Sequence, residues 1–345
     1  MRLAISLRLA NDDWSAASNW VVEAERLGVD CVWSAEAWGH DAVTPLAFLA
    51  ARTSRIHLGA GIMQAGTRTP ALVAMTAMSL ASMSGGRFRL GLGVSGPQVI
   101  EGWHGIRFER PVQRMRETIE IVRRLTRGER SEYHGQVYEL PLPGGEGKAI
   151  RSSARPQPGI PLYLATLSPR SLEMTGEIAD GWLGTSFMPE HARIFLDSLA
   201  AGAARAGRAL ADLDLQAGGM VAFSDDLPKL IAARKPGLAF TLGAMGSRGH
   251  NFYNAAFRRA GYEDTAIEVQ RLWLDGKREE ATSRVPDELV LKTNLLGTEA
   301  MVRDRLMAYR KAGITTLRVE PAGEALDHRL ATLARLTNLV RALPN

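Results

Sequence analysis

The feature that most constrains the fold of this chain is a repeated alternation of short apolar runs with longer amphipathic segments. The apolar runs predict strands at residues 2–7, 29–36, 56–62, 87–94, 161–166, 181–185, 213–224 and 314–321. They are mostly apolar along their length rather than at every second residue, as is typical of parallel strands buried on both faces. Eight strand–helix units predict a (β/α)8 barrel, with a doubly wound open sheet as the alternative. In either fold, the loops that follow the strands carry the function.

Helix signals mark the segments between the predicted strands. Gly28 is placed to end the first helix, and Pro45 and Pro70 stand where a helix begins. Two stretches interrupt the alternation, one at about 131–159, which contains the hairpin-like SEYHGQVYEL, and a largely helical one at about 225–296. We interpret both as insertions and predict one domain over residues 1–345.

Composition excludes several classes of protein. Hydrophobic residues make up 46% and charged residues 23% of the chain, and no run of about 18 apolar residues predicts a membrane span. The 42 Lys and Arg against 37 Asp and Glu are dispersed, which does not indicate nucleic-acid binding and leaves a small-molecule partner. Arg8 interrupts the first apolar run, so no signal peptide is predicted, and the single Cys31 fits a reducing compartment. We therefore predict a cytoplasmic protein.

Glycines stand at the ends of two predicted strands. GLGVSG at 91–96 matches a dinucleotide-binding turn, but Pro97, Gly102 and Gly105 make a poor continuous helix after it. The alternative is a loop whose backbone N–H groups hold a phosphate or a polar tail. Gly59 and Gly61 indicate that something approaches the third strand closely, either at a barrel bulge or at a bend that supports a flat ring.

Other reactive side chains give weaker signals. Glu36, His40 and Asp41 are metal-ligand types, yet no second ligand group accompanies them, and we predict a capped loop or polar ligand contacts rather than a metal site. Cys31 lies within an apolar strand and is interpreted as a buried small hydrophobe. Four tryptophans at strand ends or in the loops beyond them could line an aromatic ligand or fill the core: Trp33, Trp38, Trp103 and Trp182.

Longer segments bring a family resemblance. WSAEAWGHDAVTPLAFLAARTSRIHLGAGI and RTPALVAMTAMSLASMSGGRFRLGLGVSGPQVIEGWHG resemble the luciferase-like monooxygenase superfamily, and within it the coenzyme F-420-dependent oxidoreductase branch. The likeness continues through PLYLATLSPRSLEMTGEIADGWLG and AGITTLRVEP, so it covers almost the whole chain. It implies a TIM-like barrel of the bacterial luciferase-like type. The deazaflavin ring then lies at the C-terminal mouth of the strands, against a non-prolyl cis peptide that we place at Gly61–Ile62.

The resemblance also implies which residues form the site. Cofactor-binding positions carried over in this way are Glu36, Trp38, Gly61, Ile62, Met63, Ser95, Gly96, Pro97, Gln98, Ala165, Thr166, Leu167, Ser168 and Thr185, with 165–168 receiving the cofactor's phosphate. Candidates for handling a proton are Glu36, Glu101 and His104. WSAEAW lacks the Asp-His pair of the sugar-phosphate dehydrogenase relatives, which puts that activity in doubt.

The predicted reaction is hydride transfer between C5 of coenzyme F-420, an 8-hydroxy-5-deazaflavin, and an unidentified organic substrate. One alternative is an FMN-dependent luciferase-like monooxygenase. Another is a non-catalytic ligand-binding barrel. The resemblance further implies a homodimer.

Overall fold

A computed structural model describes residues 1–9, 12–246, 251–323 and 325–343. Within it the chain divides into two compact units. The small unit is Cys31–Ala165, and the large unit is Met1–Asp30 together with Thr166–Asn345. No helix among the described residues is both long enough and apolar enough to cross a membrane. The prediction of one domain over 1–345 stays a prediction.

The small unit contains parallel strands alternating with helices. The elements are β2 (Cys31–Ser34), α2 (Val43–Ala50), β3 (His57–Ala60), β4 (Met63–Gln64), α3 (Pro70–Met83), β5 (Phe88–Gly93), α4 (Pro97–Ile100), α5 (Pro111–Thr126), β6 (Tyr133–His134), β7 (Glu139–Leu140) and β8 (Leu162–Ala165). The strands pair in the order β2-β3-β5-β8, and β4 pairs with β5. A two-stranded antiparallel hairpin, β6–β7, occupies the predicted insertion at 131–159.

The large unit repeats the same pattern and adds a block of helices. Its elements are β1 (Arg2–Ser6), α1 (Trp14–Leu27), α6 (Pro169–Ile178), β9 (Gly181–Leu183), α7 (Arg193–Arg205), β10 (Asp214–Ala217), β11 (Met220–Phe223), α8 (Leu227–Gly243), α9 (Phe252–Arg259), α10 (Glu263–Leu274), α11 (Arg278–Ser283), α12 (Asp287–Thr293), β12 (Leu295–Gly297), α13 (Glu299–Lys311), β13 (Thr316–Pro321) and α14 (Leu326–Arg341). Parallel pairing runs β9-β10-β13-β1, and β11 pairs with both β13 and β12.

These elements confirm the predicted fold class, an α/β fold of the (β/α)8 barrel type, and correct two predicted strands. The strand predicted at 213–224 is two strands, β10 and β11, separated by Gly218 and Gly219. A Cβ at Gly218 would lie 2.0 Å from the Arg318 carbonyl oxygen, and one at Gly219 would lie 2.2 Å from that of Thr293. The break therefore falls where other backbone segments approach the chain. The strand predicted at 56–62 ends at Ala60 and resumes as β4 after a cis peptide.

The predicted insertion at 225–296 has its own apolar core. Helices α8 to α12 pack their buried faces together, with Leu242, Phe257, Val269 and Leu289 at their centre. β12, which the sequence did not predict, begins at the end of this insertion. Residues 247–250 of the insertion lie outside the described residues. The insertion is thus a group of helices with its own apolar core, placed in the chain between β11 and β12.

A buried carboxylate organises the start of β10. Asp214 accepts hydrogen bonds from the hydroxyls of Thr315 (2.6 Å) and Thr316 (2.7 Å) and from the Gln216 amide (2.8 Å). It also pairs with Arg2 at 2.9 Å. Burial alone raises the pKa of Asp214, but these donors stabilise its charged form, and the net pKa lies below its usual value.

We expect Asp214→Asn to lower the free energy of unfolding at pH 7 by about 2–3 kcal/mol, because charged hydrogen bonds to a buried group are lost. The lowered pKa fixes the sign of the pH dependence. The stabilisation is complete above the unfolded-state pKa of about 3.9 and is lost as pH falls through the folded-state value. Urea unfolding from pH 7 to pH 3 should therefore show the difference between wild type and variant shrinking in acid. A constant difference would contradict this account.

Two glycines allow α6 and α7 to cross closely. A Cβ at Gly176 of α6 would lie 1.9 Å from the Leu199 carbonyl oxygen, and one at Gly202 of α7 would lie 1.8 Å from that of Glu173. Each glycine therefore faces the backbone of the other helix. Neither contact can be relieved by rotating a side chain.

We expect Gly202→Ala to lower the free energy of unfolding by about 3 kcal/mol through overpacking. Gly237→Ala is the matched control, because Gly237 is also helical but exposed, and its Cβ would meet only Arg234 at 3.9 Å. The control should be neutral or stabilising by up to about 1 kcal/mol. Equal effects of the two substitutions in urea unfolding would refute the close crossing.

Candidate active site

The glycines of the third barrel strand accommodate a tryptophan. Trp33 of β2 is buried, and its ring lies against Gly59 of β3, where a Cβ would be 2.2 Å from ring atom Cε3. A Cβ at Gly61 would lie 3.0 Å from the same side chain. The close approach inferred from the sequence is therefore that of Trp33. The next peptide bond, Gly61–Ile62, is cis, at the position named from the resemblance.

Glu36 lies beside this bend and is held by several groups. Its carboxylate pairs with Arg68 and accepts hydrogen bonds from the backbone N–H groups of Gln64 (3.0 Å) and Ala42 (3.1 Å). Its own N–H donates to the carbonyl of Ile62, at 3.3 Å. Only 9% of the Glu36 side chain and 18% of that of Arg68 are exposed. The contacts make Glu36 a charged anchor between the loop after β2 and the cis peptide.

Gln64 also contacts the loop after β2, next to Glu36. Its side-chain N–H group donates to the carbonyls of Glu36 (3.4 Å) and Ala37 (3.3 Å). Its side-chain oxygen is buried and has no hydrogen-bond donor among the described residues. A buried acceptor without a donor is costly unless a bound group satisfies it. Neither Gln64 nor Arg68 was predicted as a site residue, although both are polar and follow the end of the strand predicted at 56–62, by two and six positions.

The loop from Glu36 to α2 is ordered by a second carboxylate. Asp41 accepts hydrogen bonds from the N–H groups of Val43 and Thr44, both at 2.8 Å, at the start of α2. Burial raises the pKa of Asp41, but these hydrogen bonds and the charge of Arg68 outweigh it, and the pKa is lowered. Trp38 is 56% exposed in the same loop. The described residues contain no group of three side chains suited to a metal ion.

The loop after β5 turns sharply rather than leading into a long helix. Ser95 has a left-handed backbone (φ 59°), and the four-residue α4 begins at Pro97. A Cβ at Gly93 would lie 2.9 Å from the side chain of Ile62, so this glycine of the GLGVSG run makes room for Ile62. Gln98 is exposed. A dinucleotide-binding turn needs a long helix after it and a glycine that lets the backbone approach a pyrophosphate. Here the helix has four residues and Gly93 instead accommodates Ile62.

Two proton-handling candidates follow α4. Glu101 is exposed and accepts a hydrogen bond from the N–H of Phe108 at 3.0 Å, and His104 is exposed on the same turn. Described contacts join Glu36 to the cis-peptide corner but do not join it to either of these residues. The structure thus brings Glu36, Gly61, Ile62 and Met63 together and leaves Glu101 and His104 on a separate loop of the small unit.

In the large unit, residues 166–168 lie directly before α6, and Ser168 is the N-cap residue of that helix. The hydroxyl of Thr166 bonds that of Thr175 at 2.7 Å, and its carbonyl accepts the indole N–H of Trp182 at 3.0 Å. Ser168 caps α6 by accepting from the N–H of Ser171. A capped helix N-terminus presents backbone N–H groups, which suits the phosphate expected there. Ala165 ends β8 in the small unit.

Thr185 follows β9 beside another close tryptophan contact. A Cβ at Gly184 would lie 2.5 Å from the ring of Trp182. The carbonyl of Gly184 accepts a hydrogen bond from Arg318 of β13 at 2.8 Å, and that of Leu167 accepts one from Arg259 at 2.6 Å. Neither arginine was predicted as a site residue. The signal for Arg318 was a charge inside the apolar run ITTLRVEP.

A family model described as luciferase-like monooxygenase matches residues 1–316. The chain belongs to this family. It is 41% identical over 313 residues to a Mycobacterium tuberculosis protein that carries the provisional name coenzyme F-420-dependent oxidoreductase, covering 88% of this chain and 90% of that protein. It is 28% identical to 5,10-methylenetetrahydromethanopterin reductase of Archaeoglobus fulgidus, covering 86% of each chain.

Solved structures show the same fold for this luciferase-like chain. The coenzyme F-420-dependent tetrahydromethanopterin reductase of Methanopyrus kandleri superposes with a TM-score of 0.81 at 24% identity, over 96% of this chain and 97% of that one. The family and the fold predicted from the sequence are therefore confirmed. The chain is an oxidoreductase, which sets aside the alternative of a non-catalytic barrel.

Proposed function

We propose that this oxidoreductase uses coenzyme F-420 and transfers a hydride between the cofactor and an organic substrate. The observation that carries the proposal is the 41% identity, over 88% of the chain, to the mycobacterial relative whose name specifies this coenzyme. When bound, the coenzyme supplies hydride chemistry at C5 of its deazaflavin ring. Positioning and proton handling then remain for the protein.

The corner around the cis peptide fits a flavin-type ring. The unsatisfied buried oxygen of Gln64 is an acceptor for a ring N–H group. The loop that holds it is fixed by the Glu36–Arg68 pair, so a ligand would meet an ordered surface. The carboxylate of Glu36 is already engaged by Arg68 and two N–H groups, and we therefore assign it a positioning role. Glu101 and His104, which are exposed, remain the candidates for moving a proton.

The capped start of α6 fits the phosphate of the coenzyme. Its backbone N–H groups carry the positive end of the helix dipole, and Ser168 adds a hydroxyl. Nearby Arg259 adds a positive charge, because its guanidinium donates to the carbonyl of Leu167. These donors require no metal ion to receive a phosphate group.

Fluorescence titration tests the choice of cofactor. We expect the purified protein to change the fluorescence of coenzyme F-420 with saturation in the micromolar range and to leave that of FMN unaltered. Reduced FMN activates oxygen readily and a deazaflavin does not, so the two outcomes correspond to different reactions. Saturable FMN binding without coenzyme F-420 binding would replace this proposal with the monooxygenase alternative.

The homodimer implied by the resemblance stays a proposal. Light scattering coupled to size-exclusion chromatography should give twice the chain mass of 37.5 kDa. A mass of one chain across the micromolar range would contradict it.

A further inference from the structure

Arg318 is a charged residue of β13, and the residues on either side of it in the chain, Leu317 and Val319, are apolar. Side chains alternate along β13, so Arg318 shares a face with Thr316 and Glu320. Its guanidinium donates one hydrogen bond, to the carbonyl of Gly184, and forms no ion pair with a carboxylate among the described residues. Glu320 pairs with Arg8 at 2.9 Å instead. One of the five N–H donors of the guanidinium is therefore used within the protein. The other donors and the positive charge are available to bind a ligand.

Tyr253 is the second member of this cluster. It lies on α9, the charge of Arg318 lowers its pKa against the larger effect of burial, and its hydroxyl has no hydrogen-bond partner among the described residues. Asn254 holds α9 in place by donating to the carbonyls of Leu242 (3.0 Å) and Ala266 (2.7 Å). Burial raises the pKa of Tyr253, so the phenol keeps its proton at neutral pH and can donate it in a hydrogen bond.

The chemistry of the two groups defines what they can bind. Arg318 and Tyr253 are both half-buried, so an anion can reach them, and burial lowers the pKa of Arg318. Its planar fork matches the two oxygens of a carboxylate or phosphate, and a phenol O–H beside it can donate to the same group. The carbonyl of Gly184, directly before Thr185, fixes the direction of the fork at the end of β9.

We infer that Arg318 and Tyr253 form a binding site for an oxyanion, a carboxylate or phosphate group, at the C-terminal end of β9. In a barrel enzyme this end of the strands carries the reaction site. The inference rests on the proposed function for its meaning, since the oxyanion belongs either to the substrate or to the anionic tail of coenzyme F-420. Both sources share the chemistry that the cluster recognises.

The first experiment asks whether the cluster binds oxyanions at all. Thermal unfolding midpoints are measured with succinate, benzoate and inorganic phosphate, against sodium chloride at equal ionic strength. We expect the oxyanions to raise the midpoint of the wild type, to have at least tenfold weaker apparent affinity for Arg318→Gln, and to bind Tyr253→Phe at least threefold more weakly. Arg303→Gln is the matched control, because it removes the same charge from the exposed surface of α13, where Arg303 pairs with Glu299.

Stability without any added anion separates a binding role from a structural one. Because Arg318 has no counter-ion among the described residues, Arg318→Gln should leave the midpoint unchanged or raise it. Arg318→Lys keeps a charge without the fork and should recover part of the anion affinity. A lower midpoint for Arg318→Gln, together with an anion response equal to that of the wild type, would overturn the inference.

Fluorescence titrations with two deazaflavins identify the source of the oxyanion. Coenzyme F-420 carries its anionic tail, whereas 8-hydroxy-5-deazariboflavin has the same ring without phosphate or glutamates. If Arg318→Gln weakens only the tailed form, by tenfold or more, the site receives the tail. If both bind the variant as they bind the wild type while the oxyanion response is lost, the site receives the substrate. Failure of both to bind any protein would count against the proposed cofactor alone, since the oxyanion response would persist.

Discussion

Gly59→Ala is expected to lower the free energy of unfolding by about 3 kcal/mol or more. The added Cβ would lie 2.2 Å from Cε3 and 2.4 Å from Cζ3 of Trp33, inside any permissible contact. Trp33 cannot move freely, because it is buried and packs edge-on against Tyr163 with ring centroids 5.1 Å apart. Overpacking of this kind forces side-chain or backbone shifts.

Urea unfolding measures the effect, and Gly39→Ala provides the control. Gly39 lies in the loop after β2, and a Cβ there would meet nothing within 4 Å, so its substitution should stay within about 0.5 kcal/mol of wild type. Combining Gly59→Ala with Trp33→Leu should recover part of the loss, since the smaller side chain vacates the contact. Purely additive effects in this pair would show that Trp33 is not what Gly59 accommodates.

The sequence predicted those parts of the structure that depend on interactions between residues close together in the chain. Apolar runs and capping residues act over a few positions, so most strands and helices fall close to the predictions, including α3, which begins at Pro70, and α1, which ends directly before Gly28. The family resemblance supplied the site of the cis peptide, which no local pattern indicates. Gly59 indicated that another group lies close to the backbone of the third strand. The sequence did not show that this group is Trp33, because Trp33 belongs to a different strand.

Long-range contacts account for what the sequence did not predict. The break between β10 and β11 depends on the backbones at Arg318 and Thr293, which are distant in the chain. The pairing of Glu36 with Arg68 spans 32 positions, and neither residue alone signals it. Glu36 was therefore grouped with Glu101 and His104 as a proton carrier, although its surroundings suit an anchor.

Glu36→Gln is expected to lower the free energy of unfolding by about 3 kcal/mol and the affinity for coenzyme F-420 at least tenfold. The substitution leaves the guanidinium of Arg68, 18% exposed, without its counter-ion, and removing one partner of a buried pair costs about 3–5 kcal/mol. It also weakens the acceptor for the N–H groups of Gln64 and Ala42, so the loop beside the cis peptide loses its fixed position. Chemical unfolding and fluorescence titration measure the two effects.

Glu101→Gln is the matched comparison, because it makes the same change at an exposed carboxylate. It should alter stability by less than about 0.5 kcal/mol and leave cofactor affinity unchanged. A loss of turnover in this variant, once a substrate is available, would assign Glu101 to proton handling. Glu36→Gln with wild-type stability and affinity but no turnover would instead make Glu36 the proton carrier and contradict the anchoring role.

A double-substitution cycle decides whether the Glu36 effect acts through Arg68. Arg68→Met removes the charge that Glu36→Gln leaves uncompensated, so the double variant should be more stable than Glu36→Gln alone by about 1–2 kcal/mol. Recovery of stability should restore the cofactor affinity only in part, because the amide introduced in place of the carboxylate still binds the two backbone N–H groups less strongly. A double variant as unstable as the sum of its single substitutions would mean that the two side chains act independently, and that the loop is held by the backbone contacts alone.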